Sequence, residues 1–232
     1  MTELHVLRVF VGPDGRGGNP LGVFVDGAAI APDRRQAIAA ELGFSETVFV
    51  DDIDAGTGIA VVRIFTPATE IPFAGHPTVG TSWLLASLGR PIDTLRCPAG
   101  DVATWTDAER RRWVRARASW IHRFVAERLA SVADVDAATP PPMGAPGRYV
   151  WAWEDETGGR LRARYFATDY GILEDEATGA AAVRMGDDLG RPITIRQGVG
   201  SELLVRPDPD PASDAVEVGG RVEPVEVRAF GR

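Results

Sequence analysis

The sequence predicts an α+β fold of two β-rich lobes, each wrapped around one central helix. Three observations predict it. Short β-branched, apolar runs separated by Gly, Pro and Asp turns recur along most of the chain, which is strand patterning. A unit of strand, polar loop and small-residue helix occurs twice. Phe65 to Pro77 leads into a helix from Thr78, Phe166 to Ala177 into one from Thr178, and the helices stop at Leu88-Gly-Arg-Pro and Leu189-Gly-Arg-Pro. Finally, 232 residues with 44% apolar content are enough to fill such cores. The lobes are expected at residues 1–100 and 101–232, with the final strand a candidate to return to the first lobe.

Taken in order, Leu4 to Val11 and Leu21 to Val25 read as strands around the turn-rich stretch from Gly12 to Pro20. Pro32 to Leu42 places Ile38, Ala39 and Leu42 at helical spacing, with Pro at its start and Gly43 at its end. Thr47 to Val50 and Ile59 to Phe65 are strands across an Asp/Gly turn. The helix from Thr78 is apolar on most faces through Val79, Trp83, Leu84 and Leu88, so it is expected in the interior. Between Leu95 and Trp120 a helix competes with a hairpin of Val102 to Trp105 and Arg112 to Ser119, and the alternation favours the hairpin. A short polar helix around Val125 to Val132 precedes the breaker from Thr139 to Gly147. Beyond it, Tyr149 to Trp153 and Leu161 to Phe166 alternate as strands. After the helix from Thr178 come the strands Pro192 to Arg196, Glu202 to Val205, Ala215 to Val218 and Val222 to Arg228.

Composition excludes several chemistries. Every basic residue is Arg, so Schiff-base and P-loop lysine mechanisms have no ε-amine to use. A formal charge of -8 argues against nucleic acid or anionic membrane as partner, both of which need a positive field. Cys97 is the sole cysteine and His5, His76 and His122 are widely spaced, which leaves neither a disulfide nor an evident metal set. No cofactor is expected. With no signal-peptide pattern and no apolar run of membrane-spanning length, a reducing cytoplasm is the expected location.

Both small-residue helices start in polar loops, Phe73-Ala-Gly-His-Pro-Thr and Glu174-Asp-Glu-Ala-Thr-Gly-Ala. Two such N-termini facing one cleft would hold a carboxylate through unpaired N–H groups, while the plainer reading makes Thr78 and Thr178 simple caps. His76 could exchange protons or rest as a loop histidine bonded to backbone. Asp175 reads either as a cap or as a functional acid, and Glu46 either as a strand-edge acid or as a carboxyl raised by apolar surroundings. Asn19, the only asparagine, fits turn chemistry and also a ligand contact. The arginines from Arg110 to Arg117 fit a solvated strand face.

Together, Gly18-Asn-Pro-Leu-Gly-Val-Phe, Phe44-Ser-Glu-Thr-Val-Phe-Val, Arg63-Ile-Phe-Thr-Pro, Phe73-Ala-Gly-His-Pro-Thr and Glu174-Asp-Glu-Ala-Thr-Gly resemble the phenazine-biosynthesis PhzF-like isomerase family. The resemblance covers most of the first 90 residues and the stretch from about Tyr165 to Gly200. It implies the diaminopimelate-epimerase-like fold, with a site between two pseudo-equivalent lobes and no cofactor. It also implies Glu46 as acid/base, His76 and Asp175 as its catalytic companions, and Ser45, Gly75, Thr178 and Gly179 lining the cleft; Asn19 and Ala180 are candidate substrate contacts beside them. The motif's Pro after Glu-Asp is Glu176 here, its Ser after Thr-Gly is Ala180, and the Arg that follows its Gln-Gly segment is Ser201. The region from Cys97 to Arg148 matches poorly. The expected function is therefore a cofactor-independent isomerase or epimerase of a small carboxylic acid, working as a homodimer. The alternative is a non-catalytic small-carboxylate-binding protein that keeps the cleft.

Overall fold

The computed structural model describes residues 2–122, 124–210 and 212–231. The first lobe opens with strands β1 (Thr2–Val11) and β2 (Gly17–Phe24), followed by helix α1 (Pro32–Leu42). Pro32 sits at the helix start, where its missing N–H costs nothing, and Gly43 ends the helix with φ 68, a left-handed turn. Buried Arg35 ties α1 down by donating to the Gly27 and Ile30 carbonyls and pairing with Asp51. Strands β3 (Glu46–Asp54), β4 (Ile59–Phe65) and β5 (Glu70–Ile71) lead to helix α2 (Gly75–Ser87). Then come β6 (Thr94–Cys97), β7 (Gly100–Thr106) and β8 (Arg112–Arg117). The second lobe runs β9 (Ala126–Arg128), α3 (Val132–Ala137), β10 (Arg148–Asp155), β11 (Arg160–Phe166), α4 (Gly179–Leu189), β12 (Ile193–Gln197), β13 (Ser201–Pro207) and β14 (Ala215–Phe230).

One strand serves both lobes. The first part of β14, Ala215 to Gly220, pairs with β8, and β13 pairs with Val216 to Gly219. Its remainder, Arg221 to Phe230, pairs with β1. The path β1-β2-β3-β4-β6-β7-β8-β14 thus returns to β1 and closes a ring around α2. The second lobe repeats the same steps. β9 is parallel to β10 as β2 is to β3, and β11 is parallel to β12 as β4 is to β6. Among the described residues it has no counterpart of β1, and its sheet ends at the three-residue β9. The expected division at residue 100 is misplaced. It falls in the β6–β7 hairpin, where Cys97 faces Gly100, and the crossover between lobes comes after β8.

The helices reflect this difference. Around α2 the ring is complete, and every residue from Gly75 to Ser82 is buried, with Leu84 and Leu85 beyond them. Each fully buried Leu side chain contributes roughly 1.5–3 kcal/mol. In α4, Ala181, Ala182, Val183 and Met185 are buried, and Arg184, buried as well, pairs with Asp187 and Asp188. Among the described residues no helix is long and apolar enough to cross a membrane.

Three further expectations need correcting. Helix α2 starts at Gly75, one turn before Thr78, and the Thr78 hydroxyl bonds back to the Ala74 and Gly75 carbonyls instead of capping. The polar helix around Val125 to Val132 is replaced by β9 and α3. Ala126 to Arg128 is drawn into parallel pairing with β10, and Ser131 caps α3 by accepting from the Asp134 amide. The last two strands are one, because Gly219-Gly220 serves packing and not a break. A Cβ on Gly219 would lie 2.3 Å from the Trp113 ring, and one on Gly220 2.7 Å from Phe10. Within the arginine stretch, Arg115 and Arg117 are exposed, but Arg112 is buried and donates to Ser82, Thr104 and the Ile92 carbonyl.

Trp113 has no room to yield. Its Nε1 donates to Asp107 at 2.8 Å, it stacks on Trp105, and Arg206 covers the ring at 4.1 Å. Gly219→Ala should therefore lower the unfolding free energy by about 1–3 kcal/mol, the usual cost of overpacking. Urea denaturation gives the value, and an unchanged midpoint would refute this account of the strand.

Candidate active site between the two helix starts

The first turns of α2 and α4 meet backbone to backbone. A Cβ on Gly75 would lie 2.8 Å from Gly179 Cα, and one on Gly179 2.6 Å from the His76 nitrogen, so neither position has space for a side chain. Two sets of unpaired N–H groups, each at the positive end of a helix dipole, are thereby brought to one place. That is an environment for an anion.

Glu46 opens β3 and His76 is the second residue of α2. The His76 Nδ1 lies 3.3 Å from Glu46 Oε2, with the side chains 3% and 17% exposed. The contact lacks hydrogen-bond alignment, and both Glu46 Oε2 and His76 Nε2 are buried without a partner. Burial raises the Glu46 carboxyl well above the usual range, and nearby Asp175 adds to the effect. Burial likewise lowers His76 to about 3, against a smaller opposing influence of the Pro20 carbonyl. Both shifts favour the uncharged forms, so the contact is weak as a salt bridge.

Asp175 comes from the loop before α4 and is fastened from both lobes. From the first lobe, Asn19 Nδ2 donates to Oδ1 at 2.8 Å and Ser45 Oγ at 3.3 Å. From the second, Thr178 Oγ1 donates to Oδ2 at 2.5 Å. Asn19 also donates to the Ala177 carbonyl, and the Asp175 amide donates to the Tyr165 carbonyl. Burial pushes the Asp175 carboxyl up to about 6, although the three donors favour its charged form. The site thus holds three groups whose protonation is displaced by burial, a recurrent property of acid/base sites.

Every residue expected from the sequence to form the site lies here, but not all in the expected manner. Gly75 and Gly179 matter through the side chains they lack, and Thr178 binds Asp175 and makes no side-chain cap to its own helix. Ala180 occupies the first turn of α4 and presents no hydroxyl. Sequence reasoning missed Gln197 as a site residue. Its Nε2 donates to the Asp175 carbonyl and to Thr178 Oγ1, holding the loop from the far side. The signal available was a polar side chain at a core-facing place in the alternation of β12. Cys97 is buried in β6 with its thiol on the Gly100 carbonyl. Among the described residues no group of three or more His, Cys, Asp or Glu side chains is placed to hold a metal ion.

Comparison with known proteins places this geometry among relatives. A family model described as phenazine biosynthesis-like protein matches residues 11–119. The trans-2,3-dihydro-3-hydroxyanthranilate isomerase of Pseudomonas fluorescens is 33% identical over 227 residues, covering 78% of this chain and 81% of that protein. The enzyme of the same name from Pseudomonas chlororaphis is 31% identical over 252 residues, covering 93% and 86%. The crystal structure of a PhzF-family phenazine biosynthesis protein from Bacillus anthracis superposes with a TM-score of 0.80 at 19% identity, covering 98% of each chain. The fold is of the diaminopimelate-epimerase type.

The raised Asp175 carboxyl has a thermodynamic consequence. Its folded value of about 6 lies above the ordinary 3.8 of an exposed aspartate, so its stability contribution is full below pH 4 and is lost as pH rises through 6. Asp175→Asn removes this loss. The variant's unfolding free energy, relative to the unmodified protein, should therefore improve by on the order of 3 kcal/mol between pH 4 and pH 7. Urea unfolding at several pH values measures it, and a difference independent of pH would contradict the assigned environment.

Proposed function

Because the chain belongs to the phenazine biosynthesis-like isomerase family, we propose that it moves a proton between two carbons of a small carboxylic acid, with Glu46 as acid and base and no cofactor. The observation that carries this reading is Glu46 itself, a carboxyl whose hold on a proton is strengthened by burial, with one oxygen unpartnered, beside the meeting point of two helix N-termini. The helix amides bind the substrate carboxylate. Held there, the substrate presents a carbon to Glu46. A raised carboxyl pKa narrows the gap to a carbon acid, so the carboxyl can take up a proton and return it. The proton that leaves one carbon joins another, so the enzyme ends as it began. His76, neutral, can donate or accept a hydrogen bond without adding charge, and Asp175 orients the substrate from the opposite side.

The relatives' names supply the first compound to try, trans-2,3-dihydro-3-hydroxyanthranilate, within a panel of small carboxylic acids. In deuterated water, proton NMR should show loss of a substrate C–H signal. Glu46→Gln should slow that loss at least about 100-fold, the usual scale of general acid/base catalysis, while carboxylate binding persists through the helix amides. Near-full exchange in Glu46→Gln with none in Asp175→Asn would transfer the role to Asp175.

Ala180 favours the second reading, a carboxylate-binding protein without turnover, because it withholds a hydroxyl from the anion site. Saturable binding with no exchange on any compound would establish it. Ala180→Ser should tighten binding of a carboxylate by up to roughly 1 kcal/mol, as one added hydrogen bond does. Calorimetry showing weaker binding would mean the pocket is shaped for alanine. We also propose a homodimer in a reducing cytoplasm; light scattering that returns the mass of one chain would remove the dimer.

A further inference from the structure

Two of the residues at which the chain departs from the motifs quoted above, Glu176 and Ser201, touch. Ser201 is fully buried, and its Oγ donates to Glu176 Oε1 at 2.7 Å while accepting from the Gly18 amide at 2.8 Å. The Val199 amide lies 3.0 Å from both oxygens of the same carboxylate. These contacts close a circuit. Asp175 is bonded to Glu176, Glu176 accepts from Ser201, Ser201 accepts from Gly18, Gly18 is bonded to Asn19, and Asn19 donates to Asp175 at 2.8 Å.

The circuit crosses from one lobe to the other and back, and its loops interlock. A Cβ on Gly17 would lie 2.4 Å from the Ser201 nitrogen, one on Gly12 2.2 Å from the Gly200 carbonyl oxygen, and one on Gly198 2.3 Å from Glu176 Cδ. Gly198 takes a left-handed φ of 58, which brings the turn onto the carboxylate. A Pro in place of Glu176 could accept nothing from Ser201, so the two residues function only as a pair.

We propose that Glu176 and Ser201 form a clasp that locks the β1–β2 turn to the turn at residues 198–201 and thereby holds Asn19 on Asp175. They are positioning residues that act through Asp175. Two influences on Asp175 then separate. The clasp keeps a donor on its carboxylate, while the Glu176 charge next to it works to retain its proton. Ser201→Ala cuts the clasp and leaves the charge. Glu176→Gln removes the charge and leaves an acceptor oxygen for Ser201 and Val199.

The test uses the full chain without substrate, so it stands apart from whether the isomerase reading holds. Carbon-13 NMR follows the titration of Asp175, and hydrogen exchange follows the Gly18 amide. In Ser201→Ala the Asp175 midpoint should move up from about 6, as Asn19 disengages, and Gly18 should exchange about tenfold faster or more. In Glu176→Gln the midpoint should move down, with Gly18 exchange within about twofold of the unmodified protein. Wild-type values for either readout in Ser201→Ala would overturn the proposal. Should Ser201→Ala fail to fold, Glu176→Gln decides, since a midpoint that stays or rises there overturns it as well.

Discussion

The contact on which the rest depends is the approach of two helix ends without any side chain between them. Gly75 and Gly179 leave no space for a Cβ, and beside that close approach His76 and Asp175 lie buried. Burial is the leading cause of the displaced protonation of Glu46, His76 and Asp175 alike. Site chemistry and lobe closure are thus one property. If the helix ends separated and water entered, all three groups would return toward their ordinary values. A larger residue at either glycine would act on the chemistry without touching a reacting atom.

The repeat was legible because both helices carry the same kind of beginning and the same Leu-Gly-Arg-Pro ending. What escaped was whatever tertiary contact decides. Gly75-His76-Pro77 reads as loop, yet Pro is tolerated in a first helical turn and the touching glycines require the helix to start there. Three residues cannot announce β9, which exists because β10 offers an edge. Gly219-Gly220 reads as a break because Gly is flexible, whereas here it is small, lying under Trp113 and Phe10. In the site, Glu46, His76 and Asp175 were legible from their motifs. Asn19, Ser45 and Asp175 join across separations of 130 and 156 residues, and no local pattern reports which donor meets which acceptor at that range.

The lobes are alike in plan but not in closure, and the helices record it. Five residues after its touching glycine, α2 carries Gly80, where a Cβ would meet Leu21 at 2.5 Å and Val9 at 2.7 Å, so β1 and β2 press directly on the helix. Five residues after Gly179, α4 carries Arg184, which is buried and pairs with Asp187 and Asp188. Where the first helix carries a glycine under β1 and β2, the second carries a long side chain, and among the described residues no second-lobe strand corresponds to β1.

Strand β14 also sets an order of events during synthesis. The first ring needs Arg221 to Phe230 beside β1, and Thr2 donates to the Phe230 carbonyl across 228 positions of chain. Everything in the second lobe is made before that strand emerges. Until then β1 keeps a bare edge, exposed to wrong pairings, and contacts of such long sequence separation form slowly. The half of the protein translated first is therefore the half completed last.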